Sequence, residues 1–159
     1  MTFRQLFDEW GLTKISLKTS FAEAEFAPID GDQTAAWEMY VELLTRVTTQ
    51  ALRPGDGDER TALESVHSLF KTTREILKQK GRDAEAFTKV AIIILNQIVR
   101  PFTAKWHKKS LDGAFEHEDE RIAFRAELQE LQKWLTAYAR LLADMANVED
   151  LTDIAPEGD

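Results

Sequence analysis

The apolar positions of this 159-residue chain fall into four long stretches with helical spacing, preceded by a shorter mixed segment. From Asp32 to Leu52, Trp37, Tyr40, Leu44, Val47 and Ala51 recur three and four residues apart, which predicts one buried stripe on a helix. Asp30 or Asp32 can cap its start, because a short carboxylate accepts from the free amides of the first turn. Arg53-Pro54-Gly55-Asp56-Gly57 must end it. A second helix is expected over Asp58–Lys80, with Leu63, Val66, Phe70, Thr73 and Leu77 on its stripe, Leu69 and Ile76 beside it, and Gly81 as a left-handed C-cap. The third is read from Asp83, as N-cap, towards Lys109. Its centre, Val90 to Leu95, is apolar all round, which marks a helix buried on most sides.

The fourth, Glu116 to Ala146, carries the most regular pattern. Phe124, Leu128, Leu131, Leu135, Tyr138, Leu142 and Met145 alternate steps of four and three, the heptad spacing of a helix lying along a neighbour. The tail after it, polar and acidic with Pro156 and Gly158, is expected to be flexible.

The first 30 residues read differently. Phe3, Leu6, Phe7 and Trp10 suit a short helix stopped by Gly11. Ile15, Leu17, Thr19 and Phe21 then alternate with polar residues, and the phase flips to Ala24 and Phe26, so a bent strand or small hairpin is expected with a bulge or turn near Ser20. The expected fold is therefore mainly α: residues 1–30 as helix plus strand or hairpin, 31–147 as an antiparallel four-helix bundle, and 148–159 as the tail.

Composition narrows the chemistry. The absence of cysteine excludes thiolate metal sites, redox dithiols and cysteine nucleophiles. The longest unbroken apolar run, Val90 to Leu95, is far below the roughly 20 residues of a spanning helix, and the first residues lack a signal-peptide pattern, so a soluble, cytoplasmic protein is expected. The net charge of −8 is unevenly placed. Residues 113–159 hold twelve acidic and four basic side chains, whereas residues 82–112 hold six basic and three acidic, with no acid between Ala86 and Leu111. The overall sign disfavours non-specific nucleic-acid binding, except locally at 100–109.

That basic stretch holds the main candidate chemistry. Arg100 and His107 stand seven residues apart, two helical turns, and so share a face. A fixed cation beside an imidazole can bind a phosphate and move a proton. The spacing is similar to the Arg-x(4–6)-His element of HEPN ribonucleases, small helical bundles active as dimers, and that resemblance implies RNA cleavage using Arg100 and His107. Pro101 departs from the pattern, where a polar residue is usual. Arg60 and His67 repeat the spacing. Lys105, Trp106, Lys108 and Lys109 complete a basic tip that can bind an anion or a partner. Alternatively, these lysines at a helix C-terminus pair with Glu116, Glu118, Asp119 and Glu120 at the start of the next helix. Asn96 and Gln97 interrupt the apolar centre and are expected to make register-setting polar contacts.

Other constellations are weaker. Glu64 and His67 form the Glu-x-x-His unit of di-iron bundles, but His107 and His117 have Ala104 and Ala114 three residues earlier. His67 is therefore read as a helix-flank residue beside Arg60 and Arg74. Glu38, Glu42 and Arg46 suit an exposed ladder. No zinc-protease helix, phosphate loop or nucleophile elbow is present. Trp37 and Trp106 fit core stripes, while Trp10 and Trp134 at element edges, with Ile15 and Leu17, are interface candidates. The leading functional expectation is a non-enzymatic helical interaction module, an adaptor or accessory subunit whose partner is another protein chain or a second copy of itself. The alternatives are the HEPN-like ribonuclease and a nucleotide- or anion-binding sensor at the basic end of the third helix. No metal, cofactor or membrane contact is expected.

Overall fold

The structure, a computed structural model, describes residues 1–153. It is a mainly helical bundle. A short α1 (Phe3–Glu9) and a single-turn α2 (Thr19–Ala22) precede α3 (Asp30–Leu44), α4 (Glu59–Lys80), α5 (Glu85–Ile94), α6 (Arg100–Leu111) and α7 (Glu118–Ala146). Cross-helix contacts fix their directions. Thr73 meets Met39 while Arg46 reaches Ser68, so α3 and α4 run antiparallel. Lys109 pairs with Glu120 and Lys105 with Glu127, so α6 and α7 are antiparallel too. Gln132 meets Val47 while Tyr40 meets Glu149, which closes the bundle with α7 against α3. All seven residues of the α7 heptad stripe are buried. Among the described residues no helix is long and apolar enough to cross a membrane.

The second predicted helix keeps its bounds. Asp58 caps α4, accepting from the amides of Arg60 and Thr61, and a positive φ at Gly81, 57°, ends it. The first ends eight residues early. Thr45 donates its hydroxyl to the Val41 carbonyl, and Thr48 and Thr49 donate theirs to Leu43. The Leu43 carbonyl, which the next helical amide would use, is thereby taken by two hydroxyls, while the Val41 carbonyl keeps its bond from the Thr45 amide. Two α7 residues then hold the connection: Gln132 donates to the carbonyls of Val47 and Gln50, and Arg125 to those of Arg53 and Asp56 as well as to Glu59. The Trp37 stripe is also corrected. The buried face of α3 is Ala36, Met39, Tyr40 and Leu43, and Trp37 is 47% exposed. Glu38, Glu42 and Arg46, read as an exposed ladder, instead bridge to α4: Lys80 pairs with Glu38, and Arg46 contacts Glu42, Ser68 and Thr72.

The third predicted helix is divided. A 3₁₀ turn, Gly81–Ala84, precedes α5, so Asp83 is not its cap. One first-turn α5 amide, that of Phe87, is served across the bundle by buried Asp32 at 2.9 Å, and the same carboxylate accepts from the Ile29 amide before α3 at 2.9 Å. Between α5 and α6 lies one π-helical turn, Leu95–Val99, with the Arg100 amide bonded to Leu95. Pro101 has no N–H to continue the ordinary ladder, and the wider turn carries the chain past it.

The predicted N-terminal strand or hairpin is not formed among the described residues. The segment around Ser16 has no regular secondary structure and pairs with a side chain: the Ser16 amide donates to Gln97 Oε1 and Gln97 Nε2 donates to the Ser16 carbonyl, both at 2.8 Å. The phase flip near Ser20 is the helical turn α2. Beyond it an isolated antiparallel bridge, Thr2 with Glu25, joins the segment to the start of α1, beside a Phe3–Phe26 ring contact and an ion pair from the Met1 amine to Glu25. The tail predicted flexible is docked as far as Asp153. Tyr40 Oη accepts from the Leu151 amide at 2.8 Å and donates to the Glu149 carbonyl, while Arg140 contacts Thr152, Asp150 and Asp153. The rest of that predicted tail, 154–159, lies outside the described residues.

Candidate functional site: the groove between α4 and α6

Helical rotation of about 100° per residue divides the basic stretch 100–109 into three directions. Phe102, Thr103, Trp106 and Ser110 enter the core. Trp106 is fully buried against Phe124 and Phe115, so it offers no surface to a ligand, contrary to its place in the predicted tip. Lys105 and Lys109 face α7. Lys105 bonds to Glu127, Lys109 Nζ lies 2.8 Å from Glu120, and the Trp106 indole donates to Glu127 at 2.7 Å. Burial pushes the Glu127 carboxyl up, but the bonds from Lys105 and Trp106 and the nearby lysine charges outweigh it and hold it below its ordinary value. The expected helix-end pairing therefore holds for Lys109 with Glu120, whereas Lys105 pairs further along α7, with Glu127. Lys108 is exposed and forms no ion pair among the described residues.

Arg100 and His107 take the third direction, towards α4. There they meet the second pair with the same spacing. His67 and His107 lie with ring centroids 6.4 Å apart and planes within 20°. Arg60, His67 and Arg74 stand at successive two-turn steps on α4, so the two rows face each other across an antiparallel helix pair. The groove between them encloses about 440 Å³ at its larger end, beside Arg60, Leu63, His67 and His107. A smaller depression of about 270 Å³ adjoins it beside Phe70, Arg74 and Arg100. The sequence presents the repeated spacing, but nothing in it indicates that the two copies converge. That depends on α4 and α6 being neighbours in the correct register.

The electrostatics favour an anion. Four basic side chains line the two depressions, Arg60, Lys71, Arg74 and Arg100, against one acid, Glu64. Lys71 has a marginal partner in Glu75 at 4.0 Å. Neither the Arg60 nor the Arg74 guanidinium forms a hydrogen bond or ion pair among the described residues. Arg100 is pre-positioned: its Nε donates to Asn96 at 3.1 Å and its guanidinium carbon lies 4.7 Å from the Phe70 ring centre. That leaves its terminal nitrogens open to the groove. The hydroxyls of Thr103, Ser110 and Ser68 donate to backbone carbonyls of their own helices. The guanidinium groups, the imidazoles and the Lys71 ammonium are therefore the donors left for a ligand. Asn96 orients Arg100 and Gln97 anchors the N-terminal segment, so neither polar residue is a contact within the apolar core.

The interface candidates scatter. Ile15 is 3% exposed and belongs to this chain's own core. Leu17, Trp10 and Trp134 are partly buried against that core, and Trp134 also lines a depression with Lys14 and Pro101. Among the described residues no three His, Asp or Glu side chains are arranged to hold a metal ion. Comparison of the chain with protein-family models, with curated proteins and with solved structures finds no match.

Proposed function

We propose that this chain is a helical binding module whose receptor surface is the α4–α6 groove and whose ligand is a phosphate-bearing anion. The observation that carries the reading is the facing pair His67 and His107, flanked by Arg74 and Arg100, which form no ion pair among the described residues, and by Arg60, whose charge also acts on Asp58. Unpaired guanidinium groups in a half-enclosed groove bind oxyanions more strongly than exposed lysines do, because their planar donors match the oxygens in pairs. The site enlarges the anion sensor expected at residues 100–109 by recruiting α4. It omits Lys105, Trp106 and Lys109.

Thermal denaturation in the presence of inorganic phosphate and a panel of mononucleotides tests this reading. A bound ligand raises Tm in proportion to the logarithm of its concentration. The shift should vanish in Arg74→Ala and Arg100→Ala, persist in Lys133→Ala on the far side of α7, and weaken with salt. No shift with any of these ligands would overturn the reading.

A second reading keeps the protein-interaction module. It is favoured by exposed Trp37 and Val41, one turn apart on α3, and by exposed Leu151, whose amide bonds to the Tyr40 hydroxyl of the same helix. Apolar groups gathered this way favour association with a further chain. Sedimentation of the wild type at rising concentration, alongside Trp37→Glu, tests the homodimer version. A monomer at all concentrations excludes it.

A further inference from the structure

The geometry points to an activity in the same groove: cleavage of RNA phosphodiesters by transesterification, with His67 and His107 as the acid–base pair. This inference rests on the phosphate-binding reading and specifies its substrate. The groove has two lobes rather than one. The larger lies beside Leu63, Leu111 and Arg60, and the smaller beside Phe70, Arg100 and Ala104. Both lobes are bounded by His67, Arg74, Thr103 and His107, so the imidazole pair stands at the waist between them. A phosphate monoester has one organic substituent and would fill one lobe. A diester has two, and with its phosphorus at the waist it directs one substituent into each.

The waist also suits the reaction. Displacement at phosphorus is in line, with the attacking and leaving oxygens on opposite sides. Two imidazoles 6.4 Å apart, one from each wall, can serve one oxygen each. In RNA the nucleophile is the ribose 2′-hydroxyl, so the substrate itself supplies the attacking group. One neutral imidazole takes the 2′-hydroxyl proton, and the 2′-oxygen forms a bond to phosphorus. The bond from phosphorus to the 5′-oxygen breaks, and that oxygen takes a proton from the second imidazole, which starts protonated. The products are a 2′,3′-cyclic phosphate and a free 5′-hydroxyl. One proton has passed from substrate to leaving group by way of two bases, which exchange protonation states and are reset by solvent. Arg74 and Arg100 face the charge that builds on the phosphoryl oxygens. The net charge of −8 repels long polyanions, which favours short RNA over duplex.

A ribodinucleoside monophosphate and its 2′-deoxy analogue, incubated with the full chain in EDTA, separate the possibilities. The expected result is a cyclic phosphate and a 5′-hydroxyl nucleoside from the ribo substrate, with the deoxy analogue bound but intact. His67→Ala and His107→Ala should each lower the rate about 10²- to 10⁴-fold. Both side chains are exposed, so the variants should fold, which thermal melts check, and rates are compared at saturating substrate so that weakened binding is not read as lost chemistry. The wild-type rate should pass through a maximum with pH, as paired acid and base require. Binding of the deoxy analogue with no cleavage of the ribo substrate overturns the activity and leaves phosphate binding standing. An equal rate in wild type and His107→Ala overturns it as well, since the cleavage is then not this groove's. Failure to bind either compound overturns both readings.

Discussion

The indole N–H of Trp106 donates to Glu127 at 2.7 Å, which joins the most deeply buried aromatic residue of α6 to the polar flank of α7. The same carboxylate accepts from Lys105. Because the folded carboxyl binds a proton less readily than a free one, its contribution to stability is complete above the ordinary glutamate value, 4.5. That contribution declines as pH falls below 4.5 through the lowered folded value. Glu127 is partly exposed, so solvent screening keeps the effect small. Thermal melts between pH 6 and 3 should show a shallower acid loss of Tm in Glu127→Gln than in wild type. Trp106→Phe, which removes the donor and keeps much of the volume, should cost about 1–3 kcal/mol by chemical denaturation.

Gly31 brings α3 against the turn that follows α4. A Cβ built there would stand 2.0 Å from the Asp83 carbonyl oxygen, a backbone atom that cannot swing aside. Gly31→Ala should therefore destabilise by about 1–3 kcal/mol, as overpacking does, despite alanine's better helix propensity. Gly31 does not have a positive φ, so denaturant titration of Gly31→Ala reads the clash itself, and an unchanged midpoint would show that the turn yields.

Arg125 is the clasp of the proline- and glycine-rich connection. It donates to nearly buried Glu59 at 3.2 Å and to two loop carbonyls at 3.1 Å. Arg125→Ala strands the Glu59 carboxylate, and a loss of about 3 kcal/mol is expected. Limited proteolysis should then cut first within residues 51–58. Unchanged cleavage there would show that the loop holds itself.

Tyr138 carries the opposite expectation. Its hydroxyl is buried without a hydrogen-bond partner among the described residues, and burial pushes its pKa above the ordinary value of 10.0. Tyr138→Phe removes a desolvated group and little else, so stability should hold or rise by about 1 kcal/mol. A loss on denaturant titration would reveal a partner for that hydroxyl.

These residues differ in how far the sequence announces them. The α7 stripe and α4, with its Asp58 cap and Gly81 stop, depend on contacts within one helix, three or four residues apart, and on backbone freedom at a single glycine. Such features are written locally, and the structure reproduces them. The threonines that end α3 were legible in principle, because hydroxyls competing for carbonyls act over four to six residues. Trp37 was not. Its spacing satisfies one stripe of α3 as well as another, and only the placement of α7 and α4 decides which stripe is covered.

The amino-acid pattern by itself thus determined the helical class, the heptad face of α7 and the loop between α3 and α4. The tertiary structure decided the rest. Ser16 pairs with a glutamine amide 81 residues away, where period two implies a strand. The basic stretch is shared between core, α7 and groove because a helix turns its residues in different directions. His67 meets His107 because two helices far apart in sequence pack antiparallel in one register. Periodicity reports which side of an element is apolar, and the identity of the neighbour across that side is a non-local contact that no local spacing encodes.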